Sequence, residues 1–232
     1  MLNIHNFCFN LLRTQCYILD SGGKECVIVD PGDAEQEERD ALDSFLSERG
    51  LEPVAILLTH AHFDHFFDSA RLQRKYGIPV YIHPKDAAIV AYSASIAPRF
   101  RTERPDGDFK TTPVEDGDRL DLAGLHFQVI HTPGHTPGGV AYLLPENGVL
   151  FSGDTLFAGT IGRTDLEFGE YDDEIRSIME KLIILPGETA VYPGHGPSTT
   201  IAAERDSNPM LEPFNEPEEE PDPDAAPISI HS

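Results

Sequence analysis

Residues 54–70 read VAILLTHAHFDHFFDSA: an apolar run, then three histidines and an aspartate packed into positions 60–65, then a segment of helical character. The run VAILL (54–58) has the length and branching of a buried strand. In an extended segment side chains two apart face the same way, so His60 and His62 can grip one ion. Asp64 and His65 fall where the helix begins and turn toward a neighbouring position. Two donor sets on one loop imply a centre for two metal ions. Imidazole and carboxylate suit divalent zinc, iron or manganese, and zinc is the expected metal.

The remaining donors arrive at later strand ends. FQVI (127–130) leads into HTPGH and stops at His135; VLFSG (149–153) leads to Asp154; AVYPG (190–194) leads to His195. Gly134, Gly153 and Gly194 stand immediately before these residues, where close backbone approach is needed. Loops at strand ends are where a rigid scaffold presents functional groups. Chance explains one such loop easily and four poorly.

Around these points the chain alternates strands and helices. CYILD and ECVIVD flank SGGK as a hairpin. Residues 35–49 carry Ala41, Leu42, Phe45 and Leu46 on one helical face, with Gly50 as the stop. Further helices are expected at 66–76, 84–94, 172–184 and 197–205, the third with apolar residues at 175, 178, 179, 182 and 183. Strands are expected at 78–83, 124–130, 140–144, 148–153 and 189–194, and a polar loop at 98–113. Strands in runs and strands separated by helices imply a mixed α/β (α+β) fold.

Composition narrows the function. The 232 residues are 40% hydrophobic and 25% charged, which reads as globular. The net charge of −23 argues against nucleic acid. Glu212–Ser232 holds seven of the acids and no Lys or Arg, so residues 1–211 still carry −16. That Pro- and Glu-rich tail is expected to be disordered, leaving 1–211 as one domain. No apolar run approaches the roughly 20 residues of a membrane span. MLNIHNFCFNLLRTQCYILD has neither a basic leader nor a continuous apolar stretch, so the expected location is the cytoplasm. Cys8, Cys16 and Cys26 read as small buried hydrophobes in a reducing compartment. The expected partner is a small molecule, with neither nucleic acid nor membrane; the oligomeric state is not written in these patterns.

THAHFDH carries the T-H-x-H-x-D-H signature of the metallo-β-lactamase superfamily, and HTPGHTPG, FSGDTLF and YPGHG follow in that family's order. The resemblance runs from about residue 4 to residue 211. It implies a four-layer αββα sandwich with two metals in a cleft at one sheet edge. His60, His62 and His135 would hold the first metal, and Asp64, His65 and His195 the second. Asp154 would bridge them, with a hydroxide shared between the metals.

GDTLFAGTIGRTDL and GHGPSTTIAAERDSNPML most resemble the short glyoxalase II-like (hydroxyacylglutathione hydrolase-like) enzymes. The resemblance implies hydrolysis of a thioester or related acyl compound, with Asp64 orienting the hydroxide. Lactamases of the type that name the superfamily generally carry a Cys where this chain has Asp154. After His195 only 37 residues remain, 21 of them the tail, so the helical domain that contacts glutathione in full-length glyoxalase II is not expected.

An alternative is a one-iron persulfide dioxygenase, which shares the GRTD segment but typically reads H-x-H-A-D-H where this chain has Phe63. A non-catalytic metal-binding scaffold is the third reading. Arg163 is expected either to clamp a substrate carboxylate or to pair with Asp165. His131 could orient a ligand or simply end its strand, and His83 is read as structural.

Overall fold

The computed structural model describes residues 1–212, so the remainder of the acidic tail and the expectation of its disorder lie outside the described residues. The chain opens with antiparallel strands β1 (Asn3–Phe9), β2 (Thr14–Asp20) and β3 (Glu25–Val29), with Phe7 opposite Cys16 and Tyr17 opposite Val29. Helix α1 (Gln36–Arg49) starts where the Glu38 carboxylate accepts the Glu35 N–H at 3.1 Å and ends at Gly50. Then β4 (Glu52–Leu57) pairs parallel to β3. After it come α2 (Ser69–Tyr76), β5 (Val80–Ile82), α3 (Pro84–Ala87), α4 (Val90–Ile96) and β6 (Thr111–Pro113). The first sheet has the order β1-β2-β3-β4-β5-β6.

The second half begins with the antiparallel meander β7 (Arg119–Leu122), β8 (Leu125–His131), β9 (Val140–Leu144) and β10 (Val149–Gly153). A small hairpin follows, β11 (Leu156–Phe157) and β12 (Thr160–Ile161), then α5 (Tyr171–Ser177). β13 (Ala190–Pro193) returns parallel to β10, and β14 (Thr199–Thr200) and α6 (Ile201–Ser207) complete the half. The second sheet runs β14-β13-β10-β9-β8-β7.

Period-two alternation sorts these strands into four layers. Cys16, Ile18, Cys26, Ile28 and Ile56 pack with Leu42, Leu46 and Leu72 of the first helical layer. Their neighbours Tyr17, Leu19, Val27, Val29 and Leu57 meet Phe127, Val129, Tyr142 and Phe151 between the sheets. On the far side Ala141, Leu143, Leu150 and Val191 pack against Ile175, Ile178, Leu182 and Ile201. The result is the αββα sandwich.

The expected helix at 66–76 starts only at Ser69, because the donor segment first makes a tight turn at Phe63–His65. The 84–94 helix is two pieces, the first holding Asp86 fully buried and the second turning Val90 and Ala94 into the core. The 172–184 helix widens into a π-turn at Ile178–Leu182. The 98–113 loop contains β6 on the edge of the first sheet, and β14 precedes the last helix.

Candidate metal centre

Each donor stands just beyond a strand. The β4 end leads through Thr59 to His60 and His62, and the turn at Phe63–His65 swings Asp64 and His65 to the neighbouring position. The β8, β10 and β13 ends bring His135, Asp154 and His195 from the second sheet. β10 and β13 are parallel neighbours, and the Gly194 N–H donates to the Gly153 carbonyl at 2.8 Å, which sets Asp154 beside His195.

All seven expected donors converge. His60, His62 and His135 present ligand atoms within 4.8 Å of one another, and Asp64, His65 and His195 form a second such group. Asp154 stands between the two. Its Oδ2 lies 3.5 Å from His135 Nε2, 4.0 Å from His60 Nε2 and 3.4 Å from His195 Nε2, and its Oδ1 lies 3.6 Å from His65 Nε2.

Hydrogen bonds on the far side of the rings assign the tautomers. Thr59 Oγ1 donates to Asp30 Oδ2 at 2.7 Å, so it accepts from His60 Nδ1 at 3.0 Å. His65 Nδ1 donates to Asp30 Oδ2 at 2.9 Å, His135 Nδ1 to the Arg163 carbonyl at 2.7 Å and His195 Nδ1 to the Leu12 carbonyl at 3.1 Å. In their neutral forms these four imidazoles turn a bare Nε2 lone pair inward, while His62 turns its Nδ1 to within 3.1 Å of His60 Nε2. Outer partners of this kind orient metal-binding histidines.

The donor set fits cations. His65 Nε2, His135 Nε2 and Asp154 Oδ1 are buried with no hydrogen-bond partner among the described residues. Each such atom costs about 1–3 kcal/mol when left unpaired, and a divalent ion in each group would satisfy them. Burial, reinforced by the surrounding imidazoles, holds His60 and His62 neutral, His62 at about 3. Burial also lowers His135. Burial opposes charge on His65 and His195 as well, but Asp64 and Asp154 outweigh it and raise both, His195 to about 10. The same ion pairing keeps the Asp64 and Asp154 carboxyls below the ordinary range against their burial. Charge balance at this centre thus depends on positive charge beside the two carboxylates.

Three buried carboxylates outside the donor set brace the loops, and only one carries a sequence signal. Asp30, which closes ECVIVD ahead of Pro31-Gly32, has φ 49° and accepts the Thr59 N–H at 2.8 Å in addition to its side-chain partners. Asp86 accepts the Ala61 N–H at 2.7 Å, the Thr136 hydroxyl at 2.8 Å and the Gly138 N–H at 2.6 Å, tying the first histidine loop to the one bearing His135. Burial pushes its carboxyl up to about 6. Glu174 of α5 accepts the His135 N–H at 2.8 Å, and burial pushes it to about 9. Thr14, also unmarked in the sequence, donates to Asp64 Oδ2 at 2.6 Å.

Among the glycines that the packing requires, Gly194 and Gly153 stand beside the donors. A Cβ on Gly194 would lie 2.1 Å from Asp154 Oδ1 and 2.7 Å from His65 Cε1. Gly153, at φ +54°, has Thr59 against the position a Cβ would take.

A cleft of about 320 Å³ opens onto the donors. Its walls are Leu12, Phe63, Ile96, Phe100, Phe157, Ile161 and Leu166, with Arg163 at its border. The Arg163 guanidinium grips Asp165 through two bonds of 2.7 and 2.8 Å, the pairing alternative read from the sequence. Its backbone carbonyl holds His135 instead. The His131 ring stacks on His83 at 4.2 Å and donates from Nε2 to the Pro137 carbonyl at 3.0 Å, so it braces the loop and touches no donor. A separate hollow of about 380 Å³ lies on the β7–β8 edge, away from these residues.

The pattern of the metallo-beta-lactamase superfamily matches residues 10–195. Similar proteins include the probable metallo-hydrolase YqgX of Bacillus subtilis, 37% identical over 88% of this chain and 95% of its own. The hydroxyacylglutathione hydrolase GloC of Haemophilus influenzae is 34% identical over 90% and 98%. Among solved structures, the B3 metallo-beta-lactamase BLEG-1 superposes with TM-score 0.82 at 38% identity, covering 91% of this chain and 99% of that one. TTHA1623 in a di-iron-bound form gives 0.81 at 39%, covering 89% and 100%. ETHE1 from Myxococcus xanthus gives 0.72 at 28%, covering 93% and 92%. Among the described residues, no helix is long and apolar enough to cross a membrane. With donors, layering and sequence in agreement over most of its length, this chain belongs to the metallo-beta-lactamase superfamily.

Proposed function

We propose that the protein is a two-metal hydrolase of a thioester or a related acyl compound, acting on a small molecule in the cytoplasm. The observation that carries this reading is the Asp154 carboxylate, which faces both donor groups at once. Likeness to GloC and YqgX supports hydrolysis, and likeness to a di-iron-bound structure supports a pair of metals. His60, His62 and His135 would hold one ion, Asp64, His65 and His195 the other, with Asp154 between; zinc is the first candidate, iron or manganese the next. Bound there, two divalent ions lower the pKa of water and polarise a carbonyl.

The chain's own groups do the rest. Asp64, oriented by the Thr14 hydroxyl and 3.3 Å from His195 Nε2, is placed to aim a water molecule. In the overall reaction the C–S bond breaks, water supplies oxygen to the acyl carbon, and its protons end on the carboxyl and thiol products. A thiolate leaves readily, so no further acid is needed.

The test is metal content and stoichiometry of the purified protein, followed by assays of thioester cleavage, β-lactam cleavage and oxygen uptake with glutathione persulfide. Two metals per chain with thioester turnover is the expected result. A one-iron persulfide dioxygenase is the second reading, favoured by the likeness to ETHE1; one iron with persulfide-dependent oxygen uptake would establish it instead.

A further inference from the structure

The walls of the cleft carry information about the substrate that the donors do not. Phe63 and Phe100 face one another at 5.2 Å on one side, and Phe157 and Ile161 of the β11–β12 hairpin line the other. A second hollow of about 280 Å³ shares Ile96, Phe100 and Leu166 with the cleft and ends at Tyr92 and Phe168, whose rings meet at 5.2 Å. Leu12, Phe100 and Phe168 are exposed by 37%, 37% and 40%, so three of the large apolar side chains open to water gather at this rim. Exposed apolar groups clustered at a cleft mark a surface meant to be covered.

Polar recognition is weak by contrast. Among the described residues lining the main cleft, Arg163 is the one Lys or Arg, and Asp165 already occupies its guanidinium. In the adjoining hollow Arg99 shares the lining with Asp165 and Glu167, and the Tyr92 hydroxyl donates to Glu167. A glutathione conjugate, with two carboxylates and one ammonium, finds no unpaired Lys or Arg in the main cleft.

We propose that the cleft and its adjoining hollow bind an uncharged, apolar acyl arm of several carbons, so that the substrate is a hydrophobic acyl thioester and not a glutathione conjugate. This rests on the hydrolase reading for its reaction, but the apolar arm is a separate statement about binding. Covering the rim removes Phe100, Leu12 and the acyl chain from water together.

Two series test it on the metal-loaded full chain. The first is acetyl to octanoyl thioesters of the neutral thiol N-acetylcysteamine, with S-lactoylglutathione beside them. The second is the matching S-alkyl thioethers, which cannot be hydrolysed, measured by calorimetry. With part-open walls, kcat/KM and thioether affinity are expected to rise two- to fourfold per methylene until the hollow is filled. Phe100→Ser should flatten both slopes. Rising thioether affinity without any thioester cleavage keeps the apolar site and removes the hydrolase reading. Cleavage that ignores chain length, or that favours S-lactoylglutathione over the hexanoyl thioester, overturns the proposal and leaves hydrolysis standing. Flat thioether affinity overturns it whatever the variant does.

Discussion

Replacing Asp86 by Asn changes a single oxygen on a side chain that touches no donor, yet it should disturb both ligand loops. Asp86 Oδ1 accepts from Gly138 N and Oδ2 from Ala61 N and Thr136 Oγ1. An amide must point its NH2 at one of these donors in either orientation. Losing that bond and confronting the donor costs about 1–3 kcal/mol. Against this, ionising the native carboxyl at pH 7 costs about 3 kcal/mol, the shift from 3.8 to about 6, and Asn escapes it.

The two effects nearly cancel at pH 7. The folded value lies above the unfolded one, so the folded protein retains the proton between about pH 4 and 6 and native stability falls as pH rises through that window. Asn has no such fall, so the variant's deficit should be larger at pH 5 than at pH 7, by about 1 kcal/mol. Urea denaturation of the metal-free protein followed by circular dichroism reads this difference. Zinc affinity, measured against a chromophoric chelator at pH 7, should drop on the order of tenfold, the low end for groups that orient metal ligands. A deficit equal at both pH values, or wild-type zinc affinity, refutes the bracing role.

Other perturbations probe the centre more directly. Gly194→Ala forces a methyl into Asp154 and His65, and should cost about 1–3 kcal/mol of stability while lowering metal stoichiometry measured by elemental analysis. Thr14→Val removes the hydroxyl bonded to Asp64; kcat should fall about tenfold to a hundredfold, the equivalent of about 1.4–3 kcal/mol, with KM little changed in steady-state assays. His60→Ala should abolish turnover and lower bound metal, and full activity in that variant would sink the site assignment. Removing metal from protein that was saturated a thousandfold above its Kd should cost about 4 kcal/mol, which at about 2–4 °C per kcal/mol lowers the melting temperature by about 10 °C in a thermal scan.

The donors were legible because each is a chemically distinctive residue at the end of an apolar run. His60, His135, Asp154 and His195 needed only that pattern, and the family resemblance supplied the pairing and the layers. What holds them was largely hidden. Two of the three partners of Asp86 are backbone N–H groups 25 and 52 positions away, and Glu174 reaches the His135 N–H across 39 positions. A backbone donor has no residue type to reveal it, so an inward acid on a short helix looks like any surface acid. Helix ends failed for a related reason: the start of α2 is set by how the donor loop must turn, not by the propensity of residues 66–68. Among strands, β6 is three residues, Thr-Thr-Pro, at a sheet edge, and β7, also at an edge, alternates Arg-Leu-Asp-Leu over only four positions, too short a run to stand out.

The bond from His195 to the carbonyl of Leu12 joins two functions in one short segment. Leu12 belongs to the rim, so the loop that would meet an acyl chain also sets the tilt of a metal-facing imidazole. Linkage then applies: if occupying the rim shifts this loop, it must change the affinity for the ion at Asp64, His65 and His195, and that ion must change affinity for the acyl chain by the same factor. Substrate and metal would in that case act as each other's effector through one peptide carbonyl.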